Sequence, residues 1–247
     1  MTSPLEQFEI LVLTPLRLFG LDFSLTNSGL YSFLIFSVLF LFFYVSISKS
    51  FLVPGRWQVV AEGFYTFLED MVQGQAGKKA FAFFPLFATA FFVILAANLL
   101  GLTPFGFTVT GHIIITFSLA LAFNIGFIIL GLAIHKLHFF KLFVPSGVPT
   151  ALMPLIVVIE VVSYLIRTFS LSLRLFANMM AGHALLQILA SFVVAFLSLS
   201  GLVSVLAIIP FALVFAVTLL EVGIAFLQAY VFTILLCIYA NDSLNLH

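Results

Sequence analysis

The stretch LIVVIEVVSYLIRTFSLSLRLFANMMAGHALLQ, residues 155–187, holds a glutamate, two arginines and a histidine inside an otherwise apolar run. No proline interrupts it and no glycine precedes Gly182, so one helix can run from Leu155 to Ala181. An arginine guanidinium keeps its positive charge at any ordinary pH. The stretch therefore raises two linked questions: how long this helix is, and why Arg174 is kept in such a setting.

Composition places the chain in a lipid bilayer. Its 247 residues are 64% hydrophobic and 7% charged, with a mean hydropathy of +1.31, whereas soluble domains carry about 25% charged residues. Nine basic and nine acidic residues balance to zero, so no net field attracts nucleic acid. The single cysteine, Cys237, excludes an intrachain disulfide and is interpreted as a small apolar helix residue.

Long intervals without Asp, Glu, Lys or Arg divide the chain. The interval from Lys79 to Lys136 has room for two crossings of about 20 residues each, separated by the turn sequence GLTPFGFTVTG at 101–111. We predict an all-α integral membrane protein of one domain, 1–247, with about five transmembrane helices and one interfacial amphipathic helix. The predicted segments are an N-terminal segment (1–25), a first transmembrane helix (28–47), the interfacial helix (55–75), a transmembrane hairpin (82–134) and a long tilted hairpin (149–240).

The interfacial helix is predicted from mixed composition. Between residues 56 and 73, charged Arg56, Glu62, Glu69 and Asp70 interrupt apolar side chains at helical spacing. A short amphipathic helix of this kind suits the membrane interface better than the hydrocarbon core.

Residues 149–199 are too many for one upright crossing. About 50 residues of helix extend roughly 75 Å, against a hydrocarbon core of about 30 Å. The region is therefore either two crossings or one strongly tilted helix. Residues 204–240 are also long for one span, and the turn between the two regions favours a tilted hairpin.

Basic residues set the predicted orientation, because cytoplasmic or matrix loops collect Lys and Arg. The turns at 101–111 and near 198–204 have no basic residue, whereas two other loops are basic. The basic residues of those loops are Lys49, Arg56, Lys78 and Lys79 after the first crossing, and Lys136 and Lys141 in the loop at 135–148. Both basic loops are predicted inside, with the N-terminus outside and the C-terminus inside.

Several polar residues lie at the predicted membrane depth. Each buried charge costs about 2.5–3.5 kcal/mol on insertion scales, so each is a candidate functional residue. The charged ones are Glu160, Arg167, Arg174 and Glu221, and their uncharged companions are Asn178, His183 and Gln228. Glu160, Arg167 and Arg174 form one stripe, because residues seven apart drift only about 20° around a helix. His183, nine residues after Arg174, lies near the opposite face.

Two interpretations of these charges stay open. They are either internal ion pairs, Glu160 with Arg167 and Arg174 with Glu221, or a graded series of proton-relaying groups. For Arg167 internal pairing is at least as good, since Glu160 is two turns away. Internal pairing is a poorer interpretation for Arg174, because small residues join membrane helices at lower cost than a buried ion pair does.

Two further motifs carry little information. The histidines of HKLH (135–138) lie in a basic loop, which is more typical of a solvated face than of a metal site. The sequence GQAGKK (74–79) lacks the spacing of a phosphate loop. We expect no metal, no cofactor and no directly bound nucleotide.

The chain resembles subunit a of F-type ATP synthases, in a mitochondrial, fungal-looking form. The resemblance covers nearly the whole length, from SPLEQFEI through ANLLGLTPFGFTVTGH to LLEVGIAFLQAYVFTILLCIYANDS. The stretch SLRLFANMMAGH, which contains Arg174, is highly specific to this family. The pairing of His183 with Glu221 also resembles the mitochondrial members, since bacterial members exchange these two groups.

The resemblance implies two long tilted helices that curve around a ring of c subunits. It implies that Arg174, the essential stator charge, faces the carboxylates of that ring, and that Arg167 has a structural or supporting role. It further implies two proton paths: an outer half-channel with His183, Glu221, Asn178 and Gln228, and a matrix half-channel with Glu160 and Asp242.

The function implied by this resemblance is that of a stationary proton-channel subunit, which does no covalent chemistry itself. The implied partners are the c-subunit ring, the peripheral-stalk and small membrane subunits, the lipid bilayer and protons. The implied location is the mitochondrial inner membrane, with the N-terminus in the intermembrane space and the C-terminus in the matrix. One alternative is a secondary transporter, which should show inverted repeats and broken helices. The other is a non-conducting scaffold subunit of a respiratory complex, which would tolerate substitution of Glu221 and His183.

Overall fold

The computed structural model is largely helical over the residues that it describes, which are 8–15, 17–18, 21–22, 24–48, 54–103, 106–136, 152–198 and 202–244. Five helical stretches in this part of the chain are long and apolar enough to cross a membrane. The prediction of an all-α membrane protein with five such helices is confirmed.

The α-helices of the described residues follow the predicted order. Their bounds are α1 Asn27–Ile47, α2 Arg56–Ala80, α3 Phe84–Gly101, α4 Ile113–His135, α5 Met153–Ser198 and α6 Ile208–Leu244. Short 3₁₀ turns precede α3, α4 and α6, at Phe81–Phe83, Val109–Gly111 and Leu202–Ala207.

Helix α5 is continuous over 46 residues, which decides between two crossings and one long helix. At 1.5 Å per residue it is roughly 70 Å long, more than twice the hydrocarbon thickness of about 30 Å. Helix α6 has 37 residues and is about 55 Å long. Helices of these lengths fit within a bilayer only at a strong inclination, and the tilt itself stays a prediction.

Short strands precede α1, and the sequence analysis did not predict them. β1 (Val12–Thr14) pairs antiparallel with β4 (Leu25–Thr26), and β2 (Arg17–Leu18) pairs antiparallel with β3 (Leu21–Asp22). The Asn27 side chain ties this region to α1, because it donates to the Glu9 carbonyl (2.9 Å) and accepts from the Leu11 N–H (3.3 Å). Thr26 caps α1 by accepting from the Gly29 N–H at 3.2 Å.

Helix α2 is amphipathic, as predicted, and its Arg56–Ala80 range contains a kink at Gly77. Its buried residues Leu68, Val72 and Ala76 recur every fourth position, which forms one apolar stripe along the helix before the kink at Gly77. Gly77 has a φ of +71°, a conformation that glycine adopts without the steric cost of a side chain. The placement of α2 at a membrane interface stays a prediction.

The chain forms two compact units. Unit 1 comprises Met1–Phe40, Val93–His112 and Leu175–Gln228, and unit 2 comprises Leu41–Phe92, Ile113–Arg174 and Ala229–His247. Helix α5 therefore passes from unit 2 to unit 1 after Arg174, and α6 passes from unit 1 to unit 2 after Gln228. The expectation that 1–247 behave as a single domain stays a prediction.

An aromatic cluster packs α2 against α3 in unit 2. Phe91 is fully buried, and its ring centroid lies 6.1 Å from Phe64, 6.2 Å from Phe67 and 5.5 Å from Phe92. Phe67 also lies 5.7 Å from Tyr230 of α6. Edge and tilted ring contacts of this kind supply the close packing that membrane helices need, since lipid is as apolar as their side chains.

Some predicted features lie outside the described residues. They are Lys49 and Lys141 of the basic loops, His138 of HKLH, Pro104 of the 101–111 turn, and residues 149–151 at the start of the long hairpin. The predicted orientation, which depends on the basic loops, stays a prediction.

We expect Phe91→Ala to destabilise unit 2 by at most about 3 kcal/mol, through the cavity left among the neighbouring rings. The measurement is the midpoint of thermal aggregation of the complex in mild detergent. Phe40→Ala is the matched control, because Phe40 is 73% exposed and its loss leaves no cavity. Equal midpoints for the two variants would contradict the packing described here.

Candidate functional site

Glu221 is a buried carboxyl group on α6, within unit 1. It is 6% exposed, and neither carboxyl oxygen has a hydrogen-bond partner among the described residues. A carboxyl group at this depth is costly to ionise unless it meets a donor or a cation. Glu221 is therefore a candidate for taking up and releasing a proton, because no hydrogen bond from the described residues fixes its carboxyl group.

Gly182 of α5 makes room for the Glu221 carboxyl group. A Cβ atom added at Gly182 would lie 2.8 Å from the Glu221 Cδ atom, and closer still to Oε1. Such a distance is shorter than real carbon contacts allow. The glycine therefore lets α5 and α6 approach each other at the carboxyl group, as small residues do between membrane helices.

A cavity of about 210 Å³ opens beside Glu221 in unit 1. Its lining includes Leu102, Asn178, Met179, Gly182, Leu220 and Glu221. The cavity is large enough for several water molecules, each of which needs at least about 10–15 Å³ and two or more polar partners. Asn178 and Glu221 offer such partners in an otherwise apolar lining.

Asn178 and Gln228 meet directly. The Asn178 Nδ2 atom donates to the Gln228 Oε1 atom at 3.1 Å, which joins α5 to α6 within unit 1. Gln228 is 2% exposed, and its Nε2 donor has no partner among the residues described. The pair was predicted as part of one proton path, and the structure brings its two members together.

His183 lies next to Phe8 in unit 1. Its ring centroid is 6.3 Å from that of Phe8 in an edge-to-face arrangement, and the ring is within hydrogen-bonding reach of the Gly101 backbone. Its Nε2 atom is buried without a hydrogen-bond partner in the described part of the chain. The Nε2 atom is therefore a ring nitrogen that the described residues leave without a hydrogen-bond partner.

Sequence analysis missed a second polar pair in unit 1. Asn98 is fully buried, and its Oδ1 atom accepts from the Thr110 hydroxyl at 3.0 Å. Its Nδ2 atom donates to the Ala225 carbonyl of α6 at 3.5 Å. Uncharged Asn and Thr give little signal in an apolar sequence, although their positions at the two ends of the 101–111 turn hinted at a link.

His112, between α3 and α4, was also overlooked. Its ring stacks on that of Phe107, with centroids 5.1 Å apart. Burial lowers the pKa of its imidazole below the ordinary value of 6.5, because the charged form loses hydration. The neutral ring is therefore favoured near pH 7.

Arg174 is exposed at the end of the α5 segment that belongs to unit 2. Within that unit it makes no ion pair with any carboxylate of the described residues. The guanidinium stays charged in every environment. Its charge is therefore exposed and is not balanced by a carboxylate of unit 2.

Arg167 has a different environment, although it is one heptad from Arg174. Its Nη1 atom lies 3.8 Å from the Asp242 Oδ2 atom, and its guanidinium carbon lies 5.9 Å from the centroid of the Tyr239 ring. The ion pair with Glu160 considered from the sequence is not formed. Glu160 is half-buried and has no ion pair among the described residues of unit 2.

Comparison with known proteins agrees with this architecture. The family model described as ATP synthase A chain matches residues 29–241. A protein named ATP synthase subunit a from Chondrus crispus is 49% identical over 248 residues, which cover 100% of this chain and 97% of the relative. Proteins of the same name from Marchantia polymorpha (48%, covering 99% of each chain) and Rhodospirillum rubrum (44%, covering 100% of each) are also similar.

A family match over most of the chain, together with relatives of this identity and coverage, shows that the chain belongs to the family of subunit a of F-type ATP synthases.

Proposed function

We propose that the chain is the stationary proton-conducting subunit of the synthase, with two offset half-channels separated by Arg174. The observation that carries this proposal is the exposed Arg174 side chain, which has no ion pair in its own unit. A permanent charge within a span of this hydropathy needs a counter-charge. A carboxylate on a ring of c subunits would supply it, and each passing carboxylate would do so in turn.

The charge of Arg174 has two consequences for proton movement. It favours the ionised form of any carboxylic acid that comes near, so a ring carboxyl group releases its proton there. It also repels protons, which bars a direct path between the two half-channels. An open path would dissipate about 2.3 kcal/mol per proton for each 100 mV without turning the ring.

The outer half-channel is assigned to unit 1. Glu221 and Asn178 line the cavity of about 210 Å³, and Asn178 donates to Gln228. Glu221 has two oxygens that the described residues leave without a hydrogen bond. His183 adds its Nε2 atom, which also has no hydrogen-bond partner among the described residues. Protons pass reversibly between such groups and water, and each transfer breaks one O–H or N–H bond as it forms another.

The matrix half-channel is assigned to Glu160 and Asp242 of unit 2. Glu160 is the better candidate, because Asp242 already lies 3.8 Å from Arg167. That pair supports a structural role for Arg167, and it leaves Asp242 as an acceptor whose charge is partly balanced.

The proposed partners follow from the same mechanism. They are the c-subunit ring, the peripheral-stalk and small membrane subunits, and the surrounding lipid, with the proton as the coupling ion and no nucleotide bound directly by this chain. The proposed location is the mitochondrial inner membrane, with the N-terminus in the intermembrane space and the C-terminus in the matrix. Relatives from both Marchantia polymorpha and Rhodospirillum rubrum leave the compartment open, so it depends on the resemblance of the His183 and Glu221 pairing to mitochondrial members.

The transporter alternative receives no support from the helices. Secondary transporters place their sites at broken helices near the membrane midplane. Helices α5 and α6 are continuous over 46 and 37 residues. The scaffold alternative makes a different prediction, that buried polar groups can be replaced without loss of proton flux.

Arg174→Ala should abolish proton-driven ATP synthesis and raise passive proton leak, because the barrier between the half-channels is removed. Both are measured in membrane vesicles that contain the assembled complex, with assembly checked on native gels. Arg167→Ala is the control, since it removes the same charge from the same helix. The fraction of the complex that assembles with this variant should retain coupled ATP synthesis. Normal coupled synthesis by Arg174→Ala would refute the proposal.

Glu221→Gln and His183→Ala should slow proton flux on the order of 100-fold, the usual contribution of one acid–base group. Flux is measured as the decay of an imposed pH gradient through the membrane sector after the catalytic sector has been stripped. A scaffold subunit would instead retain its flux after either substitution.

Gly182→Ala should reduce proton flux roughly tenfold or more, because the added methyl group must displace the Glu221 carboxyl group. Gly223→Ala makes the same chemical change on α6, where an added Cβ meets nothing within 4 Å, and should leave the flux unchanged. Equal flux in the two variants would show that the close approach at Gly182 does not position Glu221.

A further inference from the structure

The segment before α1 places one aromatic side chain against His183 within unit 1. The Phe8 ring meets the His183 ring edge to face, with centroids 6.3 Å apart, inside the range of about 4.5–7 Å for interacting rings. Phe8 is half-buried, whereas residues 9–15, which follow it, are exposed. Phe8 is therefore the side chain of residues 8–15 that packs inward.

Asn27, the first residue of α1, fixes the chain directly after Phe8. Its Nδ2 atom donates to the Glu9 carbonyl at 2.9 Å, and its Oδ1 atom accepts from the Leu11 N–H at 3.3 Å. The backbone N–H of Asn27 also donates to the Leu11 carbonyl at 3.1 Å. These hydrogen bonds hold the backbone next to Phe8, so the ring does not depend on its own contacts alone for its position.

Gly111 leaves room for the Phe8 ring at the end of the 101–111 turn. A Cβ atom added at Gly111 would lie 3.1 and 3.3 Å from two carbons of the Phe8 ring, which is tighter than most real contacts. Gly111 is itself buried. The Phe8 ring is thus seated against this turn as well as against α5.

The other contacts of His183 leave Phe8 as its more exposed neighbour. The Gly101 backbone, which the His183 ring can reach, is buried. A Cβ atom added at Gly101 would lie 2.8 Å from the Thr108 Cγ2 atom and 3.2 Å from the Met179 Cε atom, so this side of the ring is closely packed. His183 is not among the described residues that line the cavity of about 210 Å³. Water therefore has its shortest way to the imidazole past Phe8.

We propose that Phe8 is a positioning residue of the outer half-channel, which shields the His183 imidazole and limits how freely outside water reaches it. The proposal rests on the proposed function, which gives His183 its place on the proton path and puts the N-terminus on the outer side. A phenyl ring offers no group that relays a proton, so Phe8 acts through His183 rather than as a member of the path.

The test measures how fast diethyl pyrocarbonate acylates His183 in the assembled complex, extracted with its native lipids. This reagent attacks an uncharged imidazole nitrogen, and the product is quantified by mass spectrometry of the peptide that contains His183. Phe8→Ala should accelerate the acylation several-fold, because the shielding ring is gone. His135 of unit 2 is the internal reference and should react at the same rate with and without the substitution.

Two results would overturn the proposal. One is an unchanged acylation rate at His183 in Phe8→Ala. The other is an equal acceleration at His183 and His135, which would mean that the substitution loosens the whole protein rather than uncovering one ring.

Matched variants separate the Phe8 ring from the rest of its segment. Ile10→Ala is the control, because Ile10 is 55% exposed, and it should leave the rate at His183 unchanged. Phe8→Leu keeps an apolar side chain against the imidazole and should retain most of the protection. Asn27→Asp keeps the side-chain acceptor but loses the donor, so it should accelerate the acylation although Phe8 is intact. Equal acceleration by Ile10→Ala and Phe8→Ala would contradict a specific role for Phe8.

The acylation rate distinguishes this proposal from the proposed function. It is measured without proton flux, so an unchanged rate in Phe8→Ala would leave the assignment of the outer half-channel standing. Retained proton flux in His183→Ala would instead remove His183 from that half-channel, and with it the part of Phe8 in proton entry, even if Phe8 shields the imidazole.

Discussion

A charge inside a hydrocarbon layer must be matched by another charge or by donors and acceptors, and this constraint organises α5. The helix satisfies it in two ways at positions one heptad apart. Arg167 is balanced within unit 2 by Asp242 and by the Tyr239 ring. Arg174 is exposed and has no such partner in that unit. The same residue type is thus paired within the chain at position 167 and exposed without an ion pair in its unit at position 174.

The acidic groups follow the same division. Asp242 is committed to Arg167, whereas Glu221 is buried with both oxygens unbonded among the described residues. The space that Gly182 leaves for Glu221 is a packing feature with a chemical consequence. A larger residue there would clash with the Glu221 carboxyl group and displace it. The close approach of the helices and the position of the Glu221 carboxyl group therefore depend on the same missing side chain.

Particular residues show what the sequence could and could not predict. The absence of proline and glycine before Gly182 predicted a long helix, yet length alone could not choose between one crossing and two. Heptad spacing aligned Glu160 with Arg167 on one stripe, but the partner of Arg167 came from α6, because spacing within a helix says nothing about its neighbours. Asn98, Thr110 and Gly182 were missed because small or uncharged residues acquire their roles only through tertiary contact. The strands at 12–26 are too short to show a period.

Helix α5 carries two polar stripes that differ in spacing and in burial. Tyr164, Thr168 and Ser172 recur every fourth residue and are buried, and the latter two bind Asn124 and Thr116 of α4. Glu160, Arg167 and Arg174 recur every seventh residue and are less buried. At 100° per residue Thr168 lies about 120° from Arg174, so the stripes occupy separate faces. Since lipid provides no hydrophobic force between helices, the hydrogen bonds of the buried stripe help to join α5 to α4, while the charged residues lie on another face.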